Sequence, residues 1–355
     1  MNAEKINKLA KDISEENGKL KISNLFSNVI VSLSNIVNQP NQPNFQTDLT
    51  NNLNSLHKAL NGSLVNMLSP AWSQMLVELN IDTLFGANLS NRINHIIREN
   101  GITPANALNE LSKIHEQYNK IIAGFSNVAS GLSSLGVGFD ILEKDICEIG
   151  ILIPRSYIHN NLESFGNEIR EINFILNIFS ELIEGEKKPF ILRNLSTTDP
   201  FITVAAGFAI AAGVAKAIGF VIDNYKKLLE IKKLKNELKK QGLSDEDLKG
   251  IEAHSNKFME DAIGTKVKEL KEQYLSVELS GRSNELLSGL KISLNKIANR
   301  VDSGFNFEIR INLSENKAEE SEDINHSINE IQLASKSLEF IKSEGEPILS
   351  LPEKN

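Results

Sequence analysis

Apolar residues recur at helical spacing through most of the first 145 residues, and that rhythm predicts helices joined by polar turns. Ala3 to Glu16 is charged and weakly amphipathic. Leu25, Val29, Leu33 and Ile36 mark a helix over Ile22 to Val37, which the QPNQP stretch at Gln39 to Pro43 ends. Leu49, Leu53, Leu56 and Leu60 mark another over Thr47 to Leu60. Ser69 before Pro70, and Thr103 before Pro104, look like caps with proline in the first turn. Trp72, Met75 and Leu76 then share one face, where core packing explains them. From Thr103 to about Gly131 a stripe of Leu108, Leu111, Ile114, Tyr118, Ile121, Ile122, Phe125 and Val128 suits packing against a neighbouring helix. Residues 1–145 read as a helical bundle.

The pattern changes at Asp145. Ile146 to Pro154 is a short run rich in β-branched residues, bounded by charge and proline, as a buried strand is. A helical period over Asn160 to Ile183 follows, then a candidate strand at Phe190 to Leu195 and another at Phe201 to Ala205. Farther on, Phe305, Phe307, Ile309 and Ile311 alternate with Asn306, Glu308, Arg310 and Asn312, the clearest strand signal in the chain. Between these strands lie a helical hairpin turning at Gly242 to Ser244 and a helix over Ser283 to Val301. The fold class predicted is α+β and predominantly α-helical: the bundle, then an α/β domain over 146–313 in which a sheet of three or four strands is covered by long helices. Residues 314–355 read as an acidic linker and a C-terminal helix and tail, with Ile324 to Ile341 as a detachable helix and PILSLP as a short docking peptide.

One segment constrains all the rest. From Phe201 to Ile222 the only charge is Lys216, and about 22 apolar residues approach the length of a membrane span. The lysine-dense stretch 223–241 follows directly, carrying Val221, Tyr225, Leu228, Ile231, Leu234 and Leu238 at a helical period that lets one face bury itself while the lysines stay wet, snorkel or dock against acidic faces of the same chain. A positive-inside flank would send the preceding residues across the bilayer, yet the start of the chain has no apolar stretch that directs export. Two readings survive: a buried strand and helix, or a latent segment that inserts after a trigger. Phe208, Ile210, Val214, Lys216, Ile218, Phe220, Lys226, Lys227, Lys232, Lys233 and Lys235 form the candidate membrane or partner surface.

Composition narrows the function classes. A net charge of -8 argues against a general nucleic-acid binder, while the lysine-dense helix keeps an anionic membrane as an alternative partner. A single cysteine, Cys147, excludes a disulfide framework and a multi-cysteine zinc site, and suits a cytoplasmic protein. No phosphate-binding loop, dinucleotide fingerprint, paired-histidine zinc motif or serine-hydrolase elbow occurs, so the sequence names no catalytic residue, cofactor or metal ligand. Cys147 with His159 is a conceivable nucleophile and base, but a thiol inside an apolar strand is normally inert. The expectation is a non-enzymatic cytoplasmic assembly or interaction protein that works through helices, with a protein partner or a second copy bound. The alternative is a triggered membrane-disrupting effector using 201–222, and the third is an enzyme whose site no local motif reveals.

Overall fold

A computed structural model describes residues 3–142, 146–196, 200–274, 282–312, 322–335, 338, 340–341 and 345–354. The chain divides into two compact units, Met1–Ile141 and Leu142–Asn355. The fold is the predominantly helical α+β arrangement that the periodicity predicts.

The first unit is helical throughout its regular structure: α1 (Ala3–Leu20), α2 (Ile22–Asn38), α3 (Pro43–Asn61), α4 (Pro70–Glu78), α5 (Gly86–Glu99) and α6 (Pro104–Ser134). Its core is the sum of the stripes read from sequence, with Phe26, Leu33, Leu56, Leu60, Leu111 and Tyr118 buried together. The prolines at 43, 70 and 104 each stand at the first turn of a helix, where the missing N–H costs nothing. Ser69 and Thr103 hold the cap positions, but neither hydroxyl bonds to the helix backbone. Buried polar groups tie the bundle together instead. Glu16 accepts from the Ser63 hydroxyl at 2.7 Å and the Leu64 N–H at 2.5 Å, and Asn17 accepts from Ser23 and from the Tyr118 hydroxyl at 3.1 Å.

The second unit is built on an antiparallel sheet in the order β2-β3-β1-β4, with β1 Cys147–Leu152, β2 Ile191–Ser196, β3 Phe201–Ala206 and β4 Asn306–Ile311. Ile151 lies opposite both Ile202 and Phe307, and Ile149 opposite Val204 and Ile309, so the alternating apolar positions of three strands share one buried face. Gly150 is required between them, since a Cβ there would overlap the Phe201 ring and the Glu308 stem. Helices cover the sheet: α7 (Leu162–Glu184), α8 (Phe208–Lys240), α9 (Asp245–Tyr274), α10 (Ser283–Asp302) and α11 (Glu322–Ser335). Asn161 caps α7 by accepting from Glu163 N and Ser164 N. Ser244 and Asp247 cap α9 reciprocally, the hydroxyl donating to the carboxylate at 2.6 Å while also accepting the Asp247 N–H.

The apolar segment 201–222 becomes β3 and the first half of α8, and α8 packs against α7, α9, α10 and α11 as well as β1 and β4. Among the described residues it is the helix long and apolar enough to cross a membrane, although 72 % of its most apolar stretch is buried within the unit; α1 and α2 pass the same measure only if taken as one span bent by 52°. The second unit also takes in the described part of 314–355, read from sequence as linker and detachable tail. Ile331, Leu338, Ile348, Leu349 and Leu351 are buried in its core. The region 314–321, where the acidic linker was expected, lies outside the described residues.

Candidate functional site

Helix α8 scatters the candidate surface residues around its circumference. Ile210, Val214 and Ile218 are buried in the core, Phe208, Phe220 and Lys226 are half-buried, and Lys227 and Lys233 are exposed. They do not form one face. Lys216, the only charge in the apolar run, reaches Glu330 of α11 at 2.5 Å and the Gln273 side-chain oxygen of α9 at 2.8 Å. Burial alone would raise the Glu330 carboxyl, but bonding to Lys216 and Gln273 holds it below the ordinary carboxylate range.

Along the lysine-dense part of α8 the periodicity misleads at Leu234. The sequence turns Leu234 inward and leaves the lysines of 223–241 either wet or docked on acids of the same chain; Leu234 is instead 53 % exposed, while Lys232 and Lys235 are buried against such acids. The reason is acidic partners contributed from elsewhere. Lys232 Nζ lies 2.7 Å from Asp302 Oδ1 and Lys235 Nζ 2.5 Å from Glu252. An ammonium so paired and hydrogen-bonded tolerates burial that an isolated one does not.

Glu252 lies on α9, whereas Asp302 belongs to a polar face of α10 that sequence reasoning did not single out. Asn295, Lys296, Asn299, Arg300 and Asp302 recur at one helical face in NKIANRVD, a signal available in the sequence but partnered only in three dimensions. Arg300 forks onto both carboxylate oxygens of Glu168, at 2.5 and 3.0 Å, and reaches Glu353 at 3.2 Å. Lys296 lies 2.6 Å from Glu171 and 3.3 Å from Glu353. Burial pushes the Glu168 carboxyl up, with the guanidinium pulling against it. At Glu353 burial is outweighed by the Asn299 hydrogen bond and the charges of Arg300 and Lys296, so its carboxyl lies below the ordinary range.

No catalytic constellation emerges from the residues that sequence reading proposed. Cys147 is fully buried, and burial pushes its thiol up to about 12, far from the thiolate a nucleophile requires. Among the described residues no group of three or more His, Cys, Asp or Glu side chains is placed to hold a metal ion. The apolar cavity between the sheet and α7, α8 and α10 has a volume of about 20 Å³, room for a single water at most. In the first unit, an open groove of about 360 Å³ between α5 and α6 mixes Arg92 and Lys113 with Glu99 and Glu110 and offers no single sign of charge to a ligand.

One exposed apolar surface among the described residues is the sheet edge. Leu192 and Leu195 lie opposite Val204 and Ile202, on the face that the helices cover elsewhere, yet they are 58 % and 44 % exposed; Ile191, on the other face, is 63 % exposed. Among the described residues β2 is an edge strand that carries an exposed apolar ledge. A bulge at Arg193, between Leu192 and Asn194, keeps both leucines on the same face. The class that fold and surface define is an α+β, predominantly helical protein with an apolar sheet edge. Compared with protein families, curated proteins and solved structures, the chain has no match in any of the three.

Proposed function

We propose that this chain is a non-enzymatic assembly or interaction protein that self-associates. The carrying observation is the β2 edge, where Ile191, Leu192 and Leu195 are exposed at the end of a sheet whose other strands are largely buried. Covering a leucine side chain fully is worth roughly 1.5–3 kcal/mol. Sedimentation across concentration tests the reading: the wild type should associate, and Leu192→Lys with Leu195→Lys should weaken association at least about tenfold, the equivalent of 1.4 kcal/mol. A wild type that remains monomeric to about 0.1 mM sinks self-association, since any contact present would then be weaker than about 5–6 kcal/mol.

A membrane-disrupting effector is the second reading. It is favoured by the span-like length and apolarity of α8 and by the position of α11 across it, tied through the Lys216–Glu330 pair. Insertion requires α11 to leave and the core of the second unit to open. Dye release from anionic vesicles by the intact protein, measured from neutral pH to pH 4, is the expected sign; vesicles that stay sealed throughout remove this reading.

A further inference from the structure

Residues 345–354 lie across α10 in neither helix nor strand, and side chains from the surrounding helices hold their main chain. Ile348 and Leu349 donate their N–H groups to Asp302 Oδ2 at 2.5 and 2.6 Å, and Ser350 donates its own to Asn256 Oδ1 of α9 at 2.8 Å. Asn299 brackets Leu351, accepting its N–H at 2.9 Å and donating to its carbonyl at 3.0 Å. Asn295 donates to the Pro352 carbonyl at 2.8 Å. Consecutive backbone groups are thus read one by one. Between them Ile348, Leu349 and Leu351 sink into the core, while Glu346 meets Lys239 and Glu353 meets Arg300, Lys296 and Asn299. The ligand so defined is an extended peptide with three apolar side chains flanked by acids.

The groove has supports of its own. Leu290, Leu294, Ile297 and Val301 anchor α10 in the core, where it packs on α7, α8 and α9. Asp302 is fixed from behind by Lys232 and the Tyr225 hydroxyl, and Arg300 by Glu168. These contacts do not involve 345–354.

We infer that the groove along α9 and α10 is an exchangeable peptide-binding site, and that its occupant in trans is residues 345–354 of a second copy of this chain. The inference rests on the self-association reading and adds a contact that the β2 edge does not provide. A second copy supplies the same apolar side chains, the same acids facing Lys239, Lys296 and Arg300, and the same backbone groups. Exchange therefore replaces each contact by its identical counterpart, which makes swapping an inexpensive route to a dimer.

Site-directed cross-linking of the full chain tests it, because Ser350 and Asn256 are neighbours across the groove. Buried Cys147, its thiol pushed up to about 12, stays out of the reaction. A chain carrying both Asn256→Cys and Ser350→Cys should cross-link within itself through a short bismaleimide, which checks that the segment occupies the groove. Two differently tagged chains, one carrying Asn256→Cys and the other Ser350→Cys, should form a covalent heterodimer when mixed. Its yield should rise with concentration and fall at least about tenfold under excess synthetic peptide 345–354, as simple competition for one site requires. No heterodimer, at concentrations where sedimentation shows association, overturns the exchange and leaves the β2 reading standing. Peptide that binds the chain without any heterodimer forming overturns the second copy as occupant. Failure of the doubly substituted chain to cross-link within itself overturns the groove.

Discussion

Asp302→Ala should cost the second unit about 3–5 kcal/mol, the range for breaking one partner out of a buried ion pair. The carboxylate is completely buried and fully used: Oδ1 accepts from Lys232 at 2.7 Å and from the Tyr225 hydroxyl at 2.9 Å, while Oδ2 accepts the N–H groups of Ile348 and Leu349. Removing it takes from the Lys232 ammonium, 2 % exposed, its carboxylate partner, while the main-chain carbonyl at 302, 2.9 Å away, and the Tyr225 hydroxyl at 3.3 Å remain. Two buried main-chain donors lose their acceptor as well, each a desolvation cost of roughly 1–3 kcal/mol. Urea denaturation of the variant against the wild type measures the total. The charge contribution separates in a cycle with Lys232→Met, which removes the stranded ammonium. The double variant should be more stable than Asp302→Ala alone by at least about 1 kcal/mol, the sign of a coupled pair. A loss under about 1 kcal/mol for Asp302→Ala would mean that Lys232 reaches water in solution and that the pair does not organise this end of the unit.

The contrast between Lys232 and Phe307 separates what the chain announces locally from what it does not. Period two over Phe305 to Ile311 and period 3.6 over α2, α6 and α7 are local properties, and they located β4 and those helices because each element buries a face whose spacing its own geometry sets. A lysine's burial depends on whether an acid arrives from elsewhere, and Asp302 is supplied by a different helix from Lys232. Hydropathy therefore placed Leu234 inside, where it is not, and could not say which lysines stay wet and which dock on acids of the same chain, as Lys232 does. The β2 edge was hidden for a related reason. Ile191, Leu192 and Leu195 have the apolar content of a buried strand, and only the strand order β2-β3-β1-β4 reveals that β2 is outermost among the described strands. PILSLP was readable as a docking peptide from its composition. The asparagines that receive it were not, since Asn295 and Asn299 alone look like solvated helix positions.

Phe307→Asp should prevent the second unit from folding while sparing the first. Phe307 is 5 % exposed and lies opposite Ile151 in a sheet face closed by Ile149, Ile202 and the helices above. Truncating a buried aromatic side chain costs about 3–5 kcal/mol before any charge is considered. A carboxylate placed there either stays ionised without a partner or takes up a proton, and either route adds several kcal/mol. The sum approaches the roughly 5–15 kcal/mol that typically stabilises an entire domain. The first unit has a separate core around Phe26, Leu56, Leu111 and Tyr118, and it contains the chain's single tryptophan, Trp72, 9 % exposed. Trp72 emission in the variant should therefore remain that of a buried indole, while amide exchange across β1, β3 and β4 loses its protection. The same change at an exposed position of this sheet, Leu195→Asp, serves as the control and should cost under about 1 kcal/mol. Retention of wild-type exchange protection in Phe307→Asp would remove β4 from the core, and with it the sheet on which α8, α10 and the 345–354 groove depend.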